Sequence, residues 1–519
     1  MSKRILFTAV AADRKFDKTS VKIYEMADIF YLSAYLKSLG HETMVYDKDI
    51  SEVDFQELDA FNPDIVCLNV EAGKIFTEWV EKRKPGIIVC QGAGTFSPAY
   101  SKLCLESNPE LDLIVSGGNA EPAWVKLLEC LNAGAGLEDI KGLAYRKGGK
   151  VVYNPGMYEF DINDLKVPDH KPDMAYVITS RGCVGNCSFC DNRSVYPKWI
   201  GRSVKSVADE LDALVGQGIR KIRFADRTFG SPNCNRILEL CQAIIDRQIP
   251  ILYGGNFRPD FSRFATPEVM RLLAQSGLYE AYIGLEAGNQ ADLDLYHKRC
   301  TVEESINTVK LFESYGIHVE YGFINFNSLT TLDKLRQNID FLDDLGLTNF
   351  EALKTRYLPM LGSSLTKNME ESGLYSKENG LCYEYKNAED VLLMVRCYFA
   401  VLEKENGPKA RFEKAVSFRN DRIYGLHYFS KYNMVQHYNA VHNYLRKTEP
   451  VIRGMGILLG IWFKKLLDLA EQGFEQNKVF EATLDTLTPA YISDMADFLE
   501  KEDRKLLKAL EGIDKEQVA

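Results

Sequence analysis

Short apolar runs alternate with amphipathic stretches over the first 150 positions. Runs at 5–10, 42–46, 65–70, 86–91 and 113–116 have strand length, and stretches near 27–38, 74–82 and 121–131 carry the helical period. That alternation predicts a parallel sheet with helices wound on both faces. A second series follows, with strands at 175–179, 221–225, 249–254, 280–285, 318–325 and 350–358. Helices fall between them near 204–217, 235–247, 267–276, 302–315 and 332–345. Six repeats of this spacing predict a barrel or partial barrel. Beyond about Ser372 the pattern turns to long helical stretches, including 390–405 and 457–471, with no clear strand.

The expected fold is therefore α/β. A Rossmann-like doubly wound domain spans 1–146, a linker rich in turn formers and with room for one hairpin spans 147–172, and a (β/α)6 partial barrel spans 173–371. A helical C-terminal domain completes the chain at 372–519. Gly73, Gly92, Gly94, Gly117 and Gly118 follow the predicted strands of the first domain, at the carboxyl ends where such sheets take ligands. Glycine is also common at any strand-to-helix turn, so these positions carry a structural reading too.

Composition narrows the partners. With 519 residues, 46% hydrophobic and 26% charged, the chain has apolar material for several cores. A net charge of -10 gives no general attraction to nucleic acid or to anionic membranes. The opening MSKRILFTAV has no signal-peptide pattern, and the longest apolar stretch, 455–463, is well short of the ~20 residues that span a bilayer. A cytoplasmic enzyme without nucleic-acid or membrane partners is expected. The twelve cysteines are scattered, which favours reduced thiols over disulfides. Cys67, Cys90, Cys104, Cys130 and Cys241 sit in apolar patterns and read as small core residues.

The exception is TSRGCVGNCSFCDNR, which follows the first barrel strand and sets Cys183, Cys187 and Cys190 in a CxxxCxxC array. Structural zinc closes with four protein ligands. His170 lies thirteen residues before Cys183 in a proline-rich stretch and is the one nearby candidate to complete such a site. Three thiolates on an iron–sulfur cubane instead leave one iron open to a ligand.

This loop resembles that of the radical S-adenosylmethionine superfamily, CxxxCxΦC with an aromatic before the last cysteine, where this chain has Phe189. The resemblance implies a [4Fe-4S] cluster on the three cysteines, with S-adenosylmethionine chelated to the open iron. An external one-electron reductant such as flavodoxin or ferredoxin would drive its cleavage to a 5'-deoxyadenosyl radical. It further implies cofactor contacts from strand ends, at Asp226 in RFADRTFG, Arg258 in GNFRPD and Glu286 in YIGLEAG. Asn325 and Asn327 end the fifth strand, where this chain departs from the relatives' pattern and Asn325 is the candidate S-adenosylmethionine contact, and 359–364 resembles their proline–glycine turn.

A Rossmann-like domain ahead of such a barrel resembles the cobalamin-binding subgroup, over roughly residues 1–365. There is no DxHxxG, so no histidine is assigned as a lower ligand to cobalt, and His41 is not carried over. What this resemblance implies is cobalamin held by the glycine-bearing loops, and methylation of an unactivated carbon in a small-molecule natural product or peptide. One alternative is a cobalamin-free epimerase, dehydratase or rearrangement enzyme, with Cys382 or Cys397 quenching the radical; the other is a non-catalytic iron–sulfur protein. Tyr424, His427, Tyr428, Tyr432, His437, Tyr438, His442 and Tyr444 either line a substrate pocket or pack a helix on the barrel mouth.

Overall fold

The computed structural model describes residues 2–8, 20–48, 52–68, 73–83, 86, 88–91, 97–170, 174–229, 234–403, 407–473 and 487–510. Two compact units form: Met1–Asn186 with Cys190–Ile251 and Met360–Ser364, and Cys187–Phe189 with Leu252–Pro359 and Leu365–Ala519.

In the first unit, β1 (Arg4–Thr8), β2 (Glu42–Tyr46), β3 (Ile65–Leu68), β4 (Ile88–Gln91) and β5 (Leu113–Val115) pair in parallel in the order β2-β1-β3-β4-β5. Alternate residues face opposite ways, and both faces are apolar. Ile5, Phe7, Cys67 and Val115 join a core with Leu32 of α1 (Ser20–Ser38) and Trp124 and Leu127 of α5 (Ala120–Ala133). Leu6, Val66, Leu68 and Ile114 face the other way. They meet Leu58 of α2 (Phe55–Phe61), Phe76 of α3 (Gly73–Glu81) and Leu105 of α4 (Pro98–Ser107). The predicted doubly wound module is present.

Part of the predicted linker belongs to this sheet. β6 (Leu143–Lys147) and β7 (Lys150–Tyr153) extend it as an antiparallel hairpin, so it has seven strands. Gly148 and Gly149 make the turn at φ 57° and 77°, the left-handed pair that a two-residue hairpin loop requires. Then come β8 (Ala175–Val177), the two-residue strands β9 (Ser180–Arg181) and β10 (Ile200–Gly201), and β11 (Lys221–Phe224), which pairs in parallel with β8. Helices α6 (Asn192–Val195), α7 (Val204–Gly216) and α8 (Asn235–Asp246) complete the unit.

The second unit opens with three parallel strands, β12 (Leu252–Phe257), β13 (Leu278–Glu286) and β14 (His318–Phe323). Their outward residues pack on helices: Phe257 meets Phe312 of α11 (Val302–Ser314), and Phe323 stacks on Phe341 of α12 (Leu332–Asp344). Helices α9 (Pro267–Ser276) and α10 (Gln290–Leu295) lie between the strands.

The predicted sixth strand, 350–358, is corrected. Its first half is α13 (Phe350–Lys354), started by Asn349, whose side chain accepts a hydrogen bond from the amide of Ala352. Only Arg356 is bridged, in parallel to Phe326. The apolar run was ambiguous between helix and strand, and the cap decided it.

The rest is mainly helical: α14 (Ser364–Glu371), α15 (Lys386–Leu402), α16 (Pro408–Lys431), α17 (Val435–Glu471) and a final helix Pro489–Ala509. A two-strand hairpin, Tyr375–Ser376 with Gly380–Leu381, interrupts a stretch read as strandless. The long apolar run is the middle of α17, where Leu459, Trp462 and Phe463 are buried against α12, α15 and the last helix. It is a core helix, and among the described residues no helix is long and apolar enough to cross a membrane.

α17 carries three glycines with opposite requirements. A Cβ on Gly456 would stand 2.8 Å from the Thr348 carbonyl oxygen, and one on Gly460 would overlap the Asp343 carboxylate. Gly454 has room, with Met495 at 3.8 Å. Alanine normally stabilises a helix over glycine by about 1 kcal/mol. In thermal melts Gly454→Ala is therefore expected to raise the midpoint, while Gly456→Ala lowers it through about 1–3 kcal/mol of overpacking. Equal shifts at the two positions would contradict this packing.

Candidate functional site

The cysteine loop starts from a buried charge. Asp226, just past β11, is fully buried, and its carboxylate accepts from the amides of Thr179 (2.7 Å) and Ser180 (2.9 Å) and from both hydroxyls. Burial still holds its pKa above the ordinary carboxylate range, against those hydrogen bonds. The guanidinium of Arg236 donates to the Thr179 carbonyl (2.7 Å). Strand ends β8 and β11 are thus tied together where the loop departs.

The next residue, Arg181, is 6% exposed and reaches Glu121 of α5 through both terminal nitrogens (3.0 and 2.7 Å), and Asp28 of α1 at 3.3 Å. The Tyr196 hydroxyl also donates to Asp28. Burial pushes the Asp28 carboxyl up to about 6, offset by Arg181 and Arg227 and reinforced by Glu121. The ring of Tyr196 occupies the space that a side chain at position 118 would need, so glycine is required there.

Cys183, Cys187 and Cys190 are free thiols, the first two half-buried and the third exposed. In the first unit Cys183 Sγ receives the amide of Gly185 (3.3 Å) and lies 2.9 Å from the Thr228 hydroxyl, while Cys190 Sγ receives the amide of Asn192 (3.4 Å). Donors aimed at sulfur suit thiolates and cluster-bound sulfur. In the second unit Ser188 fixes Cys187 and Phe189 by bonding the carbonyls of Leu295 and Tyr296, and Phe189 meets the Tyr296 ring edge-on.

The end of β13 is strained. Glu286 sits at φ 64°, a left-handed conformation rare for a residue with a side chain, at an irregularity in the pairing with β14. Its carboxylate meets Lys298 at 3.2 Å. Lys298 is 5% exposed, is flanked by His297 and Arg299, both at positive φ, and lies 5.8 Å from the centre of the Phe189 ring. Burial lowers its pKa, but Glu286 and Cys187 more than offset that, so the ammonium stays charged. The floor here is side-chain-free: a Cβ on Gly284 would stand 2.5 Å from Glu286, and one on Gly322 2.7 Å from the Tyr282 hydroxyl.

Residues 177–342, which contain the cysteine loop and both strand ends, match the model of the radical SAM superfamily. This segment is a radical SAM domain. A radical SAM domain works with a [4Fe-4S] cluster and S-adenosylmethionine, so the chain is an enzyme. An uncharacterized methyltransferase of Pyrococcus horikoshii is 26% identical over 342 residues, 60% of this chain and 73% of that protein. An anaerobic magnesium-protoporphyrin IX monomethyl ester cyclase of Rubrivivax gelatinosus is 27% identical over 57% of this chain, and the match spans only 58% of the cyclase. Among solved structures, the cobalamin-dependent S-adenosylmethionine radical enzyme OxsB aligns over 98% of this chain and 80% of its own, with a TM-score of 0.58 and 19% identity. The radical S-adenosylmethionine methyltransferase TsrM from Kitasatospora setae aligns over 72% of this chain and 78% of its own, at 0.57 and 17%. These structures share the fold.

Against the radical SAM domain the predicted residues sort clearly. Glu286 and Phe189 lie together beside Lys298, which the sequence reading missed; a lysine in HKRC gave no signal without the turn that buries it. Asp226 braces the loop through Thr179 and Ser180. Arg258 is tied to its own surroundings. Its guanidinium is held by Asp260 (2.9 and 3.1 Å) and by the Lys298 carbonyl (2.7 Å), so the cation that reaches Glu286 is Lys298.

Asn325 is buried, donating to the Leu353 carbonyl and accepting from Asn338, and Asn327 bonds Asp292 and Tyr296. Gly73 opens α3, Gly117 turns at φ 90° after β5, and Gly92 and Gly94 lie outside the described residues. His170 packs 5.9 Å from Phe30, with its pKa lowered to about 4 by burial.

Cys382 is half-buried just after the small hairpin, and Cys397 is exposed on α15. The aromatic–histidine cluster packs rather than lining a pocket. Tyr424, Tyr428 and Tyr444 are buried with Leu252 and Tyr279, at the amino ends of β12 and β13 rather than at the opposite mouth. His437 rests on Phe429, and Tyr438 stacks on His442.

A raised carboxyl pKa favours the folded state while the group is protonated. For Asp28 that contribution is full below its unfolded value near 4 and fades as pH rises through about 6. Asp28→Asn stays neutral throughout. Its stability relative to the parent is expected to improve by about 2–3 kcal/mol between pH 4 and pH 7, read from denaturant midpoints. A pH-independent difference would show that Asp28 titrates normally.

Proposed function

We propose that the chain is a cobalamin-dependent radical SAM methyltransferase acting on an unactivated carbon of a natural product or peptide. What carries this reading is domain order: a doubly wound sheet of the 2-1-3-4-5 kind, whose carboxyl ends take ligands, precedes the radical SAM segment. The full-length likeness to OxsB, whose structure holds aqua-cobalamin and S-adenosylmethionine, and the relatives named as methyltransferases support it.

Cys183, Cys187 and Cys190 are the proposed cluster ligands, and the donors at Cys183 and Cys190 fit sulfur that carries charge. Bound cluster, S-adenosylmethionine and corrin supply the radical and the methyl group. The chain's own part is to bind, orient and keep water out. Buried Lys298 and half-buried Glu286 form a pair of opposite charges on a glycine floor, which matches the carboxylate and ammonium of the methionyl end. Gly117, in the loop after β5, is assigned to the corrin together with Gly73, Gly92 and Gly94, whereas Gly118 is taken up by the Tyr196 ring. An external flavodoxin- or ferredoxin-type protein would supply the electron.

A second reading is radical rearrangement without methyl transfer. The relatives named as a magnesium-protoporphyrin cyclase and as 4'-phospho-dehydrooxetanocin synthase favour it.

Anaerobically reconstituted protein is expected to hold about four irons and one corrin per chain and to release 5'-deoxyadenosine under reduction. Retained 5'-deoxyadenosine without any corrin would sink the cobalamin reading. Cys187→Ala should abolish iron binding and cleavage. Lys298→Met should keep iron while weakening S-adenosylmethionine binding about 10- to 100-fold, the loss expected for one buried charged contact. Unchanged affinity would remove Lys298 from the site.

A further inference from the structure

α6, immediately after Cys190, rests on the loops at the carboxyl end of the doubly wound sheet. The amide of Gly118 donates to the Val195 carbonyl (2.9 Å), the Tyr196 ring fills the space over Gly118, and the Ser194 hydroxyl donates to Gly362 (3.4 Å). Gly362 in turn lies against Ser97, the residue that caps α4. Asn192 and Tyr196 are four apart on this turn and share a face.

Asn192 is 6% exposed. Its backbone is used, the amide donating to Cys190 Sγ and the carbonyl accepting from Tyr196, but its side chain is not: neither Nδ2 nor Oδ1 has a partner. A buried primary amide with donor and acceptor both idle is costly, and native structures rarely keep one without a ligand to satisfy it. The group that answers it must offer an acceptor and a donor side by side. A second primary amide does so, and the corrin ring is rimmed with acetamide and propionamide side chains.

We propose that Asn192 anchors cobalamin, its side-chain amide pairing with a peripheral amide of the corrin. The inference rests on the cobalamin reading above. α6 then serves both cofactors, since its first backbone amide supports Cys190 while its first side chain holds the corrin.

Asn192→Leu tests it, because leucine keeps the branched four-atom side chain, though bulkier, and removes the idle amide. The full chain, anaerobically reconstituted, is titrated with hydroxocobalamin and followed by corrin absorbance, alongside iron analysis and a thermal melt without corrin. The expected result is opposite in sign on two readouts. Corrin dissociation rises roughly tenfold or more, while the corrin-free protein melts at the same or a higher temperature and iron content is unchanged. Asn192→Ser serves as the second variant should leucine prevent folding, and the same loss of affinity is expected.

If the parent binds hydroxocobalamin and both variants bind it within twofold, the anchoring role is overturned although the cobalamin reading stands. Loss of iron together with corrin would also overturn it, by making Asn192 a support of the cysteine loop alone. A parent that binds no hydroxocobalamin overturns the reading beneath it.

Discussion

A carboxylate taken out of water must be met by donors, and the first unit is organised around that constraint at Asp226. Four donors from Thr179 and Ser180 meet it, so the end of one strand is fixed to the end of its neighbour. Arg181 then leaves the strand into a second buried set of charges on α1 and α5. The loop bearing Cys183 departs from a point held by two helices and two strands. A loop so anchored presents its thiols with little freedom to rearrange, which is what a metal cluster requires of its ligands.

The second unit places strain where the first places charge. Glu286, His297 and Arg299 all hold left-handed conformations around the Glu286–Lys298 pair. Such conformations persist only where the surroundings over-determine them. Here Arg258 grips the Lys298 carbonyl, and Gly284 leaves the space the two side chains share. The pair is held by these surroundings, so the cost of ordering its side chains is met during folding.

The helical C-terminal part supports this unit without adding evident chemistry. Its aromatic residues bury against the starts of β12 and β13, away from Glu286 at the far end of β13. Trp462 and its neighbours pack α17 into a core of this unit, and Gly456 and Gly460 let that helix approach closely.

Much of this was legible in the chain itself. Period and spacing located the doubly wound sheet, five of the six later strands and most helix limits to within a residue or two, because burial on one or both faces leaves a direct mark on the order of apolar residues. The CxxxCxxC array was legible because ligand spacing is local. Tertiary structure decided what depends on partners distant in sequence. It bound Arg258 to the Lys298 carbonyl, tied Asp226 to Thr179 and Ser180 and Asn325 to Asn338 and Leu353, and set Lys298 beside Glu286. A charged residue's sequence neighbours do not reveal whether it faces a ligand, a counter-ion or water, since that choice is made by groups tens or hundreds of positions away.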